Sequence, residues 1–206
     1  MKKQDIIQAP MGETTVLLHT CCAPCSSAII EALLGSGITP VIYYCNPNIY
    51  PQEEYEIRKE ECTRYAQALG LEIVDADYDH EDWLRHMAGL ENEPERGGRC
   101  LKCFRLRLLR TAEYARQRGI KVITTTLASS RWKSLDQINE AGRWACSTLA
   151  QSSDSGDDKA IETVPCWWDR NWRKGGLQER RLQIIKEYDF YNQQYCGCEF
   201  SMRKDD

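Results

Sequence analysis

The sequence has no phosphate-cradling glycine loop. Neither GxGxxG nor GxxxxGK[ST] occurs among its 206 residues. A nucleotide seated on a glycine turn is therefore not expected, and nothing points to a flavin or nicotinamide. No stretch approaches the roughly 18 apolar residues of a membrane span. MKKQDIIQAPMGE is basic at its start but lacks the apolar segment of a secretory signal. There is no internal repeat. These absences predict a soluble, cytoplasmic protein, and they change the meaning of what is abundant. Eleven cysteines in a reducing compartment are more often metal ligands or catalytic thiols than structural bridges. The formal net charge of −4 argues against indiscriminate nucleic-acid binding but leaves room for a local basic patch.

The length and the 42% hydrophobic content suit one domain over 1–206, with an N-terminal arm over 1–15. VLLHT (16–20), PVIYY (40–44), LEIVDAD (71–77), KVITTTL (121–127) and IETVP (161–165) read as strands. Several are too continuously apolar to have a wet face, as in a parallel sheet covered on both sides. Helical periods lie between them. Ser26 or Ser27 is the expected cap of one helix, closed by Gly35 and Gly37. A second follows Pro51. A third carries Leu101, Phe104, Leu108, Ala112 and Ala115. A fourth follows a Ser134–Gln137 capping box, and a last one spans 177–191. The order β-α-β-α-β-α-α-β-α-β-α predicts a doubly wound, mainly parallel α/β sheet. QSSDSGDDKA (151–160) is polar and reads as a surface loop.

In such a sheet, ligands bind outside the carboxyl ends of the strands. HTCCAPC, at the end of the first predicted strand, puts Cys21, Cys22 and Cys25 at that edge. In GGRCLKC, Cys100 and Cys103 are three apart at a predicted helix start, so both thiols share one face. In YCGC, only Gly197 separates Cys196 from Cys198, and a dithiol closing to a disulfide releases two electrons. Adjacent cysteines are poor zinc-knuckle spacing, so Cys21, Cys22, Cys100 and Cys103 favour a redox metal site over structural zinc. The soft ligands favour iron–sulfur over magnesium or calcium. Cys25 stays open between a third thiol, an extra ligand and a helix-start residue. Cys45, Cys62 and Cys146 read as core, and Cys166 is undecided.

His19 reads as a satisfied core histidine, and Asn46–Pro47–Asn48 as a turn before a substrate contact. Two basic stretches flank the expected site. Residues 96–110 hold Arg96, Arg99, Lys102, Arg105, Arg107 and Arg110. Residues 170–181 hold Arg170, Arg173, Lys174, Arg180 and Arg181, beside Trp167, Trp168 and Trp172. Tryptophan with arginine is a fair surface for phosphates and unstacked bases.

HTCCAPCSS, YCNPNIYPQEEYEIR, RCLKCFRLRL, TTTLASS and YCGCEFS resemble, in order and spacing, the QueH-type epoxyqueuosine reductases over about residues 16–201. The resemblance implies a fold like the adenine-nucleotide α-hydrolase superfamily. It implies two-electron removal of the epoxide oxygen from epoxyqueuosine at the tRNA wobble position, the last step of queuosine biosynthesis. It maps the ligands of a [4Fe-4S] cluster onto Cys21, Cys22, Cys100 and Cys103, and a redox-active pair onto Cys196 and Cys198. It also implies a further iron ion near the cluster, for which Cys25 is a candidate ligand, and an unidentified electron donor. QSSDSGDDKA and CWWDRNW depart from the family pattern, so no role is carried to Cys166, Trp167 or Trp168. A cysteine-rich tRNA thiolation enzyme and a zinc-stabilised RNA-binding module are the other readings. The missing glycine loop counts against the first, because thiolation would need ATP.

Overall fold

The computed structural model describes residues 6–76, 78–152 and 164–202. Its strands are β1 (Thr15–Thr20), β2 (Thr39–Tyr44), β3 (Ile73–Asp75), β4 (Val122–Thr125) and β5 (Cys166–Trp167). Its helices are α1 (Ala23–Leu34), α2 (Gln52–Ala68), α3 (His80–Met87), α4 (Gly98–Gln117), α5 (Leu135–Ser152) and α6 (Leu177–Glu187). All strand pairs are parallel, in the order β3-β2-β1-β4-β5. Every residue of β1 and β2 after the first is buried, as is all of β4. That burial is the reason these strands read as apolar runs without alternation. α1 packs on α2 and α6, and α4 packs on α3 and α5. This is the expected doubly wound fold. The chain reverses its direction of winding between β1 and β4, and the crevice at such a reversal is where ligands sit.

The boundaries shift for local reasons. α1 starts at Ala23, with Cys22 at its N-cap and Pro24 in its first turn. Neither expected serine caps it. Ser26 instead donates back to the carbonyls of Cys22 and Ala23, at 3.1 and 3.2 Å. β4 stops at Thr125 because its hydroxyl accepts from Leu127 N (3.1 Å), turning the chain into a 3-10 turn over Thr126–Ser129. Ser134 does receive Gln137 N–H at 3.3 Å, but the Gln137 side chain reaches Arg96 O and not the cap. α6 ends four residues early: Asp189 turns left-handed (φ 49°) so that Phe190 buries edge-on against Tyr65. The edge strand falls on Cys166–Trp167, after the expected 161–165. Residues 161–163 lie outside the described residues. So do 153–160 of the expected polar loop, whose first two residues extend α5. Of the N-terminal arm, residues 1–5 lie outside the described residues, while Ile7 and Ala9 are buried in the core.

β5 shows how tightly the sheet edge is packed. Trp167 lies flat on Gly142 of α5, where an added Cβ would fall 2.1 Å from Trp167 Cδ2. Its indole N–H donates to Asn139 Oδ1 at 3.3 Å. Glycine to alanine in a helix ordinarily stabilises by about 1 kcal/mol. Here overpacking opposes that gain with a typical cost of about 1–3 kcal/mol. Gly142→Ala is expected to lower stability, seen as a lower urea midpoint at unchanged slope. A raised midpoint would mean the Trp167 ring moves away freely.

Candidate active site

β1 runs straight into the first thiol group. His19, on β1, is fully buried. Its Nε2 donates to Cys45 O (3.0 Å), an acceptor only, so Nδ1 accepts from Thr125 Oγ1 (2.6 Å). Burial, then the nearby Arg107 charge, hold its pKa down at about 3, so the ring is neutral. Arg107 donates to Cys45 O (3.1 Å) and to Asn46 Oδ1, and Asn46 donates to Thr20 O (2.9 Å). The histidine is thus the satisfied core residue expected. Asn46 is a buried brace for the end of β1.

Immediately beyond, the thiols of Cys21, Cys22 and Cys25 gather within 4.8 Å of one another. Cys21 Sγ lies 3.9 Å from Cys22 Sγ and 3.4 Å from Thr126 Oγ1, and its backbone N–H donates to the same threonine (3.2 Å). Hydrogen bonds from Cys22 and Cys25 hold Cys21 well below the ordinary thiol range. Burial pushes Cys22 up, and the hydrogen bond to Cys21 pushes Cys25 up to about 12. Cys21 is thus the most acidic thiol of the group, at a helix N-terminus that favours negative charge. The sequence reading sets Cys21 and Cys22 with Cys100 and Cys103. Among the described residues Cys25 joins Cys21 and Cys22 in the close group, and it is Cys25 that lines a cavity with Cys100 and Cys103.

Cys25, Cys100, Cys103, Cys196 and Cys198 line one cavity of about 1020 Å³. Cys100 and Cys103 come from the start of α4, as their spacing predicted. The backbone N–H of Arg96, which is left-handed (φ 67°), points at Cys100 Sγ (3.3 Å). Trp83 donates its indole N–H to Cys103 Sγ (3.3 Å). Burial raises the pKa of Cys100.

Cys196 and Cys198 arrive because the chain after α6 folds back over the carboxyl edge. Tyr50 N donates to Gly197 O (2.9 Å), Arg58 to Tyr195 O (3.2 Å), and His80 faces Glu199 (3.1 Å). Gly197 has φ 102°, and a Cβ there would meet Ile49 Cγ1 at 2.8 Å and Arg58 Nη1 at 3.1 Å, so only glycine fits. Cys198 packs with Trp83, Met87 and Cys103. A hydrogen bond from Cys198 holds Cys196 well below the ordinary range, and the same bond raises Cys198.

Two residues at this cavity escaped the sequence reading. Lys133 is half-buried in its wall. Burial pulls its pKa down, but the charges of Cys196, Cys21 and Cys25 outweigh that and raise it. Trp132 stands 69% exposed at the mouth. The available signal was position: RWKS follows TTTLASS at the end of β4 but holds too few cations to count as a basic run. The runs that were counted behave differently. Arg99 and Arg107 are buried, and Arg105 and Arg110 pair with Glu140 and Asp82. Trp168 and Trp172 are core, and Trp167 covers Gly142. Neither that tryptophan group nor Arg107 is a free phosphate or base surface.

A doubly wound sheet with cysteines and a lysine gathered at the cavity of its reversal point defines a class: an α/β protein with a cysteine-rich candidate site. The family model for epoxyqueuosine reductase QueH matches residues 16–204. An epoxyqueuosine reductase QueH of Histophilus somni is 45% identical over 197 residues, 96% of this chain and 76% of that protein. One of Acinetobacter baylyi is 44% identical, over 96% and 84% of the two chains. One of Thermotoga maritima is 32% identical, over 91% and 90%. The chain belongs to the QueH epoxyqueuosine reductase family. No helix among the described residues is long and apolar enough to cross a membrane.

The Cys196–Cys198 bond predicts a pH signature. In metal-free protein, Cys196 should react with iodoacetamide with a midpoint well below the free-thiol value near 8.5, measured by site-resolved mass spectrometry. Cys198→Ala removes the donor, so the midpoint should move up and labelling at pH 7 should slow. An unmoved midpoint would mean that Cys198 does not set the ionisation of Cys196.

Proposed function

We propose that this cavity is where the chain, an oxidoreductase of the epoxyqueuosine reductase family, takes the epoxide oxygen from epoxyqueuosine in tRNA and leaves queuosine. The observation that carries the reading is the meeting of Cys196 and Cys198 with Cys25, from the start of α1, and with Cys100 and Cys103, from the start of α4, on one cavity wall. Converting an epoxide to an alkene consumes two electrons and two protons and releases water. Closing Cys196 and Cys198 to one disulfide supplies two electrons; the Cys198 thiol gives up one proton and Lys133 Nζ supplies the second. A reductant of dithiol or flavin class must then reopen the pair.

The donor set fits a thiophilic group. Three sulfurs lie within 4.8 Å and no carboxylate stands among them, and the pKa of Cys21 is lowered toward the thiolate form that binds metal. Cys21, Cys22, Cys100 and Cys103 would hold a [4Fe-4S] cluster, with Cys25 reaching a further iron ion. Bound there, such a group supplies one-electron relay and Lewis acidity toward oxygen.

The remaining work belongs to side chains. Lys133 adds its charge to the hydrogen bonds that lower Cys21 and Cys196, and holds a proton at Nζ for the departing oxygen. Asn48 Oδ1, buried at the cavity wall without a protein partner, accepts a hydrogen bond from substrate. The indole of Trp83 and the ring of Phe200, 6.0 Å apart, help close the cavity to water. A wobble base lies in a single-stranded loop, so turning it out into the cavity is comparatively cheap.

Anaerobic reconstitution followed by turnover on epoxyqueuosine-containing tRNA tests the assignment. Cys196→Ser or Cys198→Ser should keep bound iron and lose multiple turnover, whereas Cys100→Ser should lose iron itself. Full activity of the double serine variant would remove the redox role. Lys133→Met should lower kcat by about a hundredfold or more, as loss of a positioned acid does, with iron retained. Turnover that required ATP, or iron-free protein with bound zinc, would favour the thiolation or zinc-module readings.

A further inference from the structure

We infer that Trp132 is a stacking platform for an unpaired RNA base next to the one that enters the cavity. This rests on the tRNA reading above and names the surface that would hold the loop.

The indole is 69% exposed, so it contributes little to the core, since burial is what makes a large aromatic stabilising. Yet the backbone that carries it is tightly fixed. Arg96 donates from Nε to Trp132 O (2.9 Å) and from Nη2 to Arg131 O (3.2 Å). Arg173 donates to Lys133 O (2.8 Å), and Trp132 N–H donates to Ser130 Oγ (3.3 Å). Three consecutive carbonyls are thus held by guanidiniums from outside the loop. A side chain on so constrained a backbone is presented, not loose.

Its position and surroundings choose the ligand. Trp132 and Lys133 are adjacent in sequence and line the same cavity. The first stands at the mouth and the second lies deeper. Arg131 places its guanidinium 5.4 Å from the Trp132 ring centroid. An aromatic face beside a cation matches a base joined to a phosphate. Exposed Leu182 (58%) and Met202 (43%) also line this cavity and widen the apolar surface to more than one ring. The chain as a whole is acidic, yet this rim carries Arg131, Arg173 and Arg181. That local reversal of sign favours a polyanion over an apolar protein surface.

The test uses an anticodon stem-loop hairpin RNA and the full chain, with folding checked by circular dichroism. Trp132→Ala should weaken hairpin binding about tenfold or more, the usual effect of losing one stacked base. Trp132→Phe should recover most of it. The dependence of binding on salt should stay unchanged, because no phosphate contact is lost. Binding of a duplex RNA of equal length should not change. An abasic sugar in place of the base flanking the target should abolish the difference between wild type and Trp132→Ala. Equal hairpin affinity of the two proteins, or an equal loss on duplex, would overturn the platform. Failure of the wild-type enzyme to reduce an epoxyqueuosine hairpin would instead overturn the functional reading. Trp132-dependent binding of that hairpin would still support the platform.

Discussion

A neutral imidazole holds together the carboxyl ends of the central strands. His19 stands on β1, donates to the carbonyl that follows β2, and accepts from the last threonine of β4. A buried polar ring of this kind is stabilising only when both nitrogens are satisfied. Both are, and they reach the two strands that flank β1. The register of the edge follows from this. Thr20, Cys21 and Asn46 are placed on one side and Thr125 and Thr126 on the other, and Arg107 braces the join. The thiol group does not build its own scaffold. It extends from an edge already fixed by hydrogen bonds two residues earlier.

Electrostatics then divides the labour among chemically identical side chains. In each of the two closest groups, interaction between neighbouring thiols splits their acidities. Cys21 and Cys196 are lowered, while Cys22, Cys25 and Cys198 are raised. Two neighbouring thiolates in a low-dielectric wall would repel strongly, so sharing a proton is the stable arrangement. Lys133 places its charge near both Cys21 and Cys196 and helps to lower each of them. A thiophilic ligand or a disulfide would each complete what the proton now balances.

The C-terminal segment shows why chain order and spatial order differ here. Gly197 passes between Ile49 and Arg58, and tyrosines, Arg58 and His80 secure its neighbours. The last thiols in the chain therefore share a cavity with Cys25 of the first group. The segment is a closing element built after the sheet, and it covers the crevice without joining any strand.

The order of elements, the parallel sheet, the cores of β1, β2 and β4, and the burial of Cys45 and Cys62 were legible in the sequence. Each depends on local periodicity, which the chain carries in its own pattern of apolar residues. The cysteine motifs were legible because rare residues at short spacing leave few alternatives. Other features were decided only by tertiary packing. CCAPC and SS both sit near the start of α1, but Pro24 in the first turn and the hold of Thr126 on Cys21 put the N-cap position at Cys22, ahead of both serines. Arg107 and Trp172 look like surface charge and stacking residues until a neighbouring strand covers them. Trp132 and Lys133 look ordinary until two distant arginines fix their loop at the mouth of the cavity. Local pattern records which face of an element is apolar. It does not record which other element arrives at that face, and that arrival decides whether an arginine is a brace, a tryptophan a platform, or a thiol a thiolate.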